Sequence, residues 1–192
     1  MRRLLSLAAA AAALSAAPLA AQYGPRGGDR TAFSVEPYAA YGFFGTLPAG
    51  GPRLDGDAAF GVRGALHLTP QFALTGTWQH SSPRVDGGPR ATVEHWAGGV
   101  EFDYHPREGA SGIPPLVLEA GVGQVRYDFR DSFDFFGYKQ NDIAANVGIS
   151  SAIPLSRSVA VTYGVNDWIS NWQGDQGMVN QVFARVGAQI NF

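Results

Sequence analysis

The chain has 192 residues, a length that accommodates one domain or at most two small ones. Only 16% of the residues are charged and the net charge is −2, so the composition indicates no basic surface for nucleic acid. Cysteine is absent, which excludes a disulfide framework, cysteine-ligated metals, iron–sulfur clusters and a cysteine nucleophile.

The N-terminus has the parts of a secretory signal peptide. Arg2 and Arg3 precede an uncharged Leu/Ala run over 4–14, and small residues follow that run. This pattern predicts a signal peptide over 1–21 and then a flexible lead-in over 22–31. A membrane anchor is the alternative, but the run is shorter than the roughly 20 apolar residues that a membrane helix needs. No later run approaches that length, so the sequence excludes a helical membrane protein but not a β-barrel.

From residue 32 onward, apolar and polar residues alternate with the period of two that is typical of β-strands. In the fourth predicted strand, for example, Trp96 and Val100 share one face while His95 and Glu101 share the other. We therefore expect one domain over 32–192, built from eight strands. The predicted strands cover 33–44, 58–68, 72–80, 92–105, 116–129, 142–153, 159–166 and 182–192.

The alternation changes phase within the fifth predicted strand. Leu118 and Ala120 lie on the apolar face, but beyond Gln124 the apolar residues are Val125 and Tyr127, at the other parity. An extra residue in the strand would bring both sets to one face. The sequence therefore predicts a β-bulge near Gln124.

The connections between the predicted strands alternate in length, which is typical of outer-membrane barrels with short turns at one end and long loops at the other. A soluble eight-stranded barrel such as a lipocalin is the alternative, and it would turn its apolar faces inward. Tight turns are predicted at 69–71 and 154–157, a connection of moderate length at 106–114, and long loops at 45–57, 81–91, 130–141 and 169–178.

The last strand carries the most specific pattern. The chain ends on Phe192, and apolar side chains precede it at every second position. This strand resembles the C-terminal signal that outer-membrane barrels present to the insertion machinery. Together with the segments 35–38, 60–63 and 72–76, it makes the chain over 32–192 similar to the small OmpA/OmpX-type barrel family. The predicted insertion signal consists of Val186, Ala188, Ile190 and Phe192.

The resemblance implies an all-β fold, an eight-stranded antiparallel up-and-down transmembrane β-barrel in the bacterial outer membrane. A closed barrel satisfies the requirement that every backbone polar group in lipid is paired. We expect a monomer without cofactor, metal or nucleic-acid partner. Its expected contacts are outer-membrane lipid, lipopolysaccharide and the barrel-insertion machinery.

Aromatic residues near the strand ends are expected to form two girdles at the membrane interfaces. Such rings are amphipathic or polarisable and favour the headgroup level of the bilayer. The girdle near the long loops is predicted to contain Tyr41, Phe43, Trp78 and Trp96, and the other Phe72, Phe102, Tyr104 and Phe192.

Charged residues on the inward faces form one predicted cluster within the lumen. Eight strands leave an interior that side chains can just fill. The cluster is interpreted as a plug of mutually paired charges, and the alternative is a salt-bridge gate in a narrow pore. Its predicted members are Glu36, Arg63, Glu101, Glu119 and Arg185.

Catalytic chemistry has one candidate, His80, Ser82 and Glu94 at the outer rim of the third hairpin. A hydroxyl, a base and an orienting carboxylate at that position would suit hydrolysis of a lipid ester. The spacing is similar to that of the outer-membrane lipid A deacylases of the PagL type. Pro83 stands where that family has Asn, and the hairpin is central here rather than C-terminal. The four histidines show no metal-ligand spacing.

The third long loop is rich in aromatic residues, which are interpreted either as a contact surface or as extensions of the flanking strands. We therefore rank a structural or surface-interaction role first, a narrow channel for small or amphipathic solutes second, and a lipid-modifying enzyme third. The aromatic residues of this loop are Phe129, Phe133, Phe135, Phe136 and Tyr138.

Overall fold

The computed structural model describes residues 33–47, 53–85, 88–104, 116–129, 139–156, 158–170 and 178–192. The predicted signal peptide and lead-in lie outside the described residues. So do His105 and the aromatic residues of the third long loop other than Phe129.

Eight antiparallel strands form a closed barrel. Each strand pairs with the next one along the chain, and β8 pairs with β1 to complete the ring. The fold class that the sequence predicts is thereby confirmed. Among the described residues, no helix is long and apolar enough to cross a membrane. The strands are β1 Phe33–Phe43, β2 Asp57–His67, β3 Phe72–Ser81, β4 Thr92–Tyr104, β5 Leu116–Asp128, β6 Lys139–Pro154, β7 Val159–Ser170 and β8 Val179–Asn191.

The two rims of the barrel differ in their connections. At the rim where β1 begins and β8 ends, a tight turn joins β2 to β3, and the Leu68 N–H donates to the Phe72 carbonyl at 2.9 Å. We call this rim the turn end and the opposite rim the loop end. At the loop end, Leu54 of the first long loop and Val85 of the second are paired in an isolated β-bridge.

Large apolar side chains point outward from every strand. Val122 and Ile143, for example, are 60% and 58% exposed, and soluble proteins rarely expose a continuous apolar surface of this kind. This arrangement is the reverse of a lipocalin-like barrel, whose apolar faces line the interior. The outer surface of the described strands is therefore suited to contact with lipid.

The β-bulge predicted near Gln124 does not occur. Residue pairing between β5 and both of its neighbours continues without interruption from Glu119 to Asp128. Gln124 points outward, while Val125 and Tyr127 point into the barrel and are fully buried. The sequence pattern changes because the barrel interior becomes apolar at this level, and not because the strand changes phase.

The last three strands are longer than the sequence predicts. β6 begins at Lys139, β7 continues to Ser170 and β8 begins at Val179. In β7 and β8 the added inward-facing residues mix apolar Trp168 and Val179 with polar Ser170 and Gln181, so polarity no longer separates the two faces. The prediction ended these strands where the alternation in polarity ended, and β-pairing continues beyond that point.

Candidate functional site in the barrel interior

Arg63 is the centre of the charged half of the interior, near the turn end. Its Nη1 lies 3.0 Å from Glu36 Oε2 and its Nε lies 3.2 Å from Glu119 Oε2. Its Nη2 also pairs with Glu101 Oε2. One guanidinium therefore binds three carboxylates, and all four side chains are less than a tenth exposed.

Arg185, on the strand β8 that pairs with β1, completes the cluster. Its Nη2 lies 3.0 Å from Glu119 Oε2, and its Nε lies 4.0 Å from Glu36 Oε1. The Thr162 hydroxyl donates to Glu36 Oε1 at 2.8 Å, and the Tyr38 ring centroid lies 5.7 Å from the Arg185 guanidinium carbon. The structure thus brings together all five charged residues that the sequence places in the lumen.

Strand register explains why these charges meet. Glu36 and Arg63 are direct partners on β1 and β2, so their opposite charges attract. Glu101 and Glu119 are also direct partners, on β4 and β5, and their like charges would repel. Arg63 reaches across the lumen and pairs with both of them. The cluster is therefore held together by contacts across the barrel as well as along the sheet.

The half of the interior near the loop end is apolar and aromatic. The His95 ring lies 4.8 Å from the Trp168 ring and 5.3 Å from the Phe183 ring, measured between centroids. These three side chains are fully buried. The remaining members of this buried cluster are Leu47, Leu54, Ala59, Val85, Ala91, Val93, Val125, Tyr127, Phe129 and Ala144.

Buried polar side chains also lie within this apolar layer, and His95 and Gln181 are hydrogen-bonded there. His95 Nε2 lies 2.7 Å from Gln181 Oε1, and Gln181 Nε2 donates to the Tyr127 hydroxyl. The Tyr38 hydroxyl donates to Gln79 Oε1 at 3.2 Å, and Gln79 is the register partner of His95 on the neighbouring strand. Hydrogen bonding of this kind offsets the cost of burying polar atoms in an apolar environment.

The first two long loops cover the apolar layer from the loop end. Leu47, Leu54 and Val85 are 3%, 1% and 3% exposed and belong to the same cluster as the rings below them. The Asp55 N–H donates to the Arg84 carbonyl at 2.9 Å, which joins the two loops. These loops therefore add to the packed interior.

The sequence interpretation missed this apolar layer. Val125 and Tyr127 were assigned to the lipid face and Trp168 was left outside the predicted strands, while Phe183 was placed on the inward face of the eighth strand beside Arg185 without being recognised as part of an apolar layer. Strict period-two parity from Glu119 onward would have placed Val125 and Tyr127 inside, because the register has no interruption. The signal was present, but it conflicts with the expectation that the interior of a membrane barrel is polar.

The residues of the predicted insertion signal lie on the outer face at the end of β8. Val186, Ile190 and Phe192 are 54%, 38% and 48% exposed, and Ala188 is exposed as well. The Phe192 N–H donates to the Phe33 carbonyl at 2.9 Å, and the two rings are 6.1 Å apart. The last residue thus contributes to the seam between β1 and β8.

The aromatic residues of the predicted girdles lie on the outer face in two groups. Trp78 and Trp96 are 5.9 Å apart between centroids in the half near the loop end, where Tyr41 and Phe43 are 5.2 Å apart. Phe60 also joins this group, 5.6 Å from Trp78. Near the turn end, the rings are those of Phe72 and Phe102, which are 5.0 Å apart, together with the exposed Tyr104.

The predicted hydrolase residues lie on the outer face at the loop end. Ser82 Oγ and His80 Nε2 are 3.4 Å apart, and Glu94 is the register partner of His80. An acyl-transfer site also needs N–H groups directed at the oxyanion. The Ser82 N–H donates to Asp57 Oδ2 at 3.1 Å, and Pro83 has no N–H. Two parts of a hydrolytic site are therefore in contact, while the backbone at positions 82 and 83 offers no oxyanion donor.

Solved structures with the same architecture include Neisserial surface protein A, with a TM-score of 0.59 and 12% sequence identity over 84% of this chain and 97% of that one. The N-terminal β-barrel domain of Pseudomonas aeruginosa OprF has a TM-score of 0.53 and 14% identity over 83% of this chain and 97% of the domain. The chain has the fold of the small eight-stranded outer-membrane β-barrels. No family model and no curated protein matches the sequence of this chain.

Proposed function

We propose that this chain is an outer-membrane barrel with a structural or surface-interaction role and a lumen closed to solutes. The observation that supports this proposal is that two chemically different layers fill the interior, one of paired charges and one of packed aromatic and aliphatic side chains. In this proposal, the predicted signal peptide directs export, the turn end faces the periplasm and the loop end faces outward.

The apolar layer favours a plug over a gate. Rearranged Arg–Glu pairs would open a polar path only through the charged half of the lumen. An ion would still have to cross the layer of Trp168, Phe183 and Tyr127, and apolar constrictions block conduction by excluding water. The narrow channel is therefore the second candidate function.

Single-channel recording from the protein in planar bilayers tests this proposal. The expected result is a barrel that migrates as folded on an unboiled gel but shows no discrete conductance. Discrete openings in the wild type that change in Arg185→Gln would contradict the plug and support the gated channel. A conducting porin measured in the same bilayers serves as the positive control.

Lipopolysaccharide is the partner best supported at the loop end. Arg84 and Arg90 are direct partners in an isolated β-bridge, where two like charges repel each other, and Asp57 Oδ2, at 3.5 Å from Arg90 Nη1, balances one of them. An anionic phosphate between them would relieve that repulsion and accept charge-assisted hydrogen bonds. Arg53 is exposed on the neighbouring loop and adds a third positive charge at the loop end. The exposed outward faces of the strands would contact lipid, and the C-terminal strand the insertion machinery.

A lipid-ester hydrolase is the other candidate, favoured by the 3.4 Å contact between Ser82 and His80. Mass spectrometry of lipid A from cells that express wild type or Ser82→Ala tests it. Identical acylation patterns are expected, because the backbone at residues 82 and 83 provides no oxyanion donor. A loss of acyl chains that depends on Ser82 would establish the enzyme.

A further inference from the structure

Three side chains with metal-ligating atoms meet inside the barrel at the turn end. One ligand atom each from His67, Glu101 and Asp103 lies within 4.8 Å of the other two. Glu101 and Asp103 are 5% and 7% exposed, and His67 is partly exposed. They differ from a surface acidic cluster because two of them are buried and the third is an imidazole.

The strand register explains how they come together. His67 is the last residue of β2, and its partner on β3 is Ala73. Ala73 is in turn the partner of Glu101 on β4. Asp103 lies two residues farther along β4 and therefore points to the same side of the sheet as Glu101. The three ligands thus belong to two strands that are separated by a third.

Glu101 can bind a cation without leaving the charged layer. Its Oε2 pairs with Arg63, and a carboxylate has a second oxygen that can ligate an ion at the same time. Two carboxylates and one imidazole within reach of a single point are a donor set for a cation.

We propose that His67, Glu101 and Asp103 bind a divalent transition-metal ion at the turn end. One imidazole nitrogen and two carboxylate oxygens form a donor set typical of Zn²⁺, Fe²⁺ or Mn²⁺, with the remaining positions filled by water. Ca²⁺ and Mg²⁺ fit less well, because they prefer oxygen ligands alone. His67 is at the rim of the lumen, so the ion reaches the site from solvent without opening the barrel.

Bound metal would tie β2 to β4 and stabilise the folded barrel by an amount that rises with the logarithm of metal concentration above the dissociation constant. The sequence interpretation dismissed a metal site because the histidines have no ligand spacing along the chain. Glu101 and Asp103 lie 34 and 36 residues after His67 along the sequence, and only strand pairing brings the three ligands together. This inference does not depend on whether the lumen conducts.

Metal titration of the full chain, purified in detergent and stripped with EDTA, tests the proposal. Zn²⁺ is expected to bind with a stoichiometry of about one ion per chain and to raise the melting temperature, which EDTA reverses. Co²⁺ is expected to give the visible absorption of a cobalt ion with nitrogen and oxygen ligands. His67→Gln and the near-isosteric Asp103→Asn are expected to weaken Zn²⁺ binding by at least about tenfold.

His80→Gln is the matched control, because His80 lies on the outer face at the opposite rim and should leave binding unchanged. Zn²⁺ stabilisation of His67→Gln equal to that of the wild type would overturn the proposal. If His67→Gln and Asp103→Asn do not fold, the wild-type stoichiometry decides, and less than one tightly bound ion per chain after dialysis overturns it. The metal titration does not depend on conductance, so the metal site and the proposed plug can fail independently of each other.

Discussion

At the scale of single residues, the charged layer depends on a few side chains that have several partners each. Glu119 Oε2 accepts from Arg185 at 3.0 Å and lies 3.2 Å from Arg63 Nε. Glu119 also fills the space above Gly148, where any added Cβ would overlap its carboxylate. The position of Glu119 therefore depends on the absence of a side chain at residue 148 as much as on the arginines.

Arg63→Met is expected to destabilise the barrel by about 3–5 kcal/mol, because it leaves three buried carboxylates without their shared counter-ion. Urea unfolding in lipid vesicles measures this change. Arg84→Met, at an exposed loop position, is the control and should change the free energy of unfolding by no more than about 0.5 kcal/mol. Equal effects of the two substitutions would show that the cluster adds no stability.

Gly148→Ala is expected to cost about 1–3 kcal/mol, because the new methyl group displaces Glu119 from its two arginine partners. Gly76→Ala is the control, since no heavy atom lies within 4 Å of the Cβ position at residue 76. That control should stay within about 0.5 kcal/mol of the wild type in the same unfolding assay. A Gly148→Ala barrel as stable as Gly76→Ala would contradict the packing of Glu119.

At the scale of elements, an unbroken strand explains a sequence pattern that first suggests a bulge. β5 keeps one register with β4 from Leu116 to Asp128 while its inward face changes from Glu119 to Val125 and Tyr127. Strand phase is set by backbone pairing, whereas the sequence pattern reports only side-chain polarity. The two disagree where the interior of the barrel is itself apolar.

Single cysteines on either side of this position test the phase of β5, and the chain has no cysteine of its own. Gln124→Cys is expected to react in folded protein with a membrane-soluble thiol reagent, because residue 124 points outward. Val125→Cys is expected to stay unreactive until the barrel is denatured, because Val125 is fully buried. Equal labelling of both cysteines in the folded state would instead support a bulge.

At the scale of the whole molecule, the closed barrel buries two layers that the chain does not form locally. The apolar layer takes Phe183 from β8, Trp168 from β7 and Tyr127 from β5, together with loop residues such as Leu54 and Val85. These contributions come from distant parts of the chain. Barrel closure is therefore required before either layer can form.

Phe183→Ala is expected to lower the free energy of unfolding by about 3–5 kcal/mol, because it opens a cavity in a fully buried aromatic cluster. Phe43→Ala, whose ring is 58% exposed on the outer face, removes a ring of the same size without opening a cavity. Urea unfolding of both variants in vesicles provides the comparison. A loss for Phe43→Ala as large as that for Phe183→Ala would argue against a packed interior at the loop end.

The sequence by itself determined the number of strands and which residues of seven strands face outward, while their antiparallel order was implied by the resemblance to small outer-membrane barrels. Period-two alternation carries this information directly, because neighbouring side chains in a strand lie on opposite faces. The inward location of Glu36, Arg63, Glu101, Glu119 and Arg185 followed from the same parity.

Only the tertiary structure decided which inward side chains touch one another. Strand pairing and closure set the shared contacts of Arg63, the apolar layer around Phe183 and the meeting of His67 with Asp103. These contacts depend on shear and curvature across several strands, and alternation along one strand contains neither. Where the polar pattern ends, the sequence predicted a bulge in β5 and a strand end in β7 and β8. In the structure these strands continue, and the pattern ends because their inward side chains enter the apolar layer.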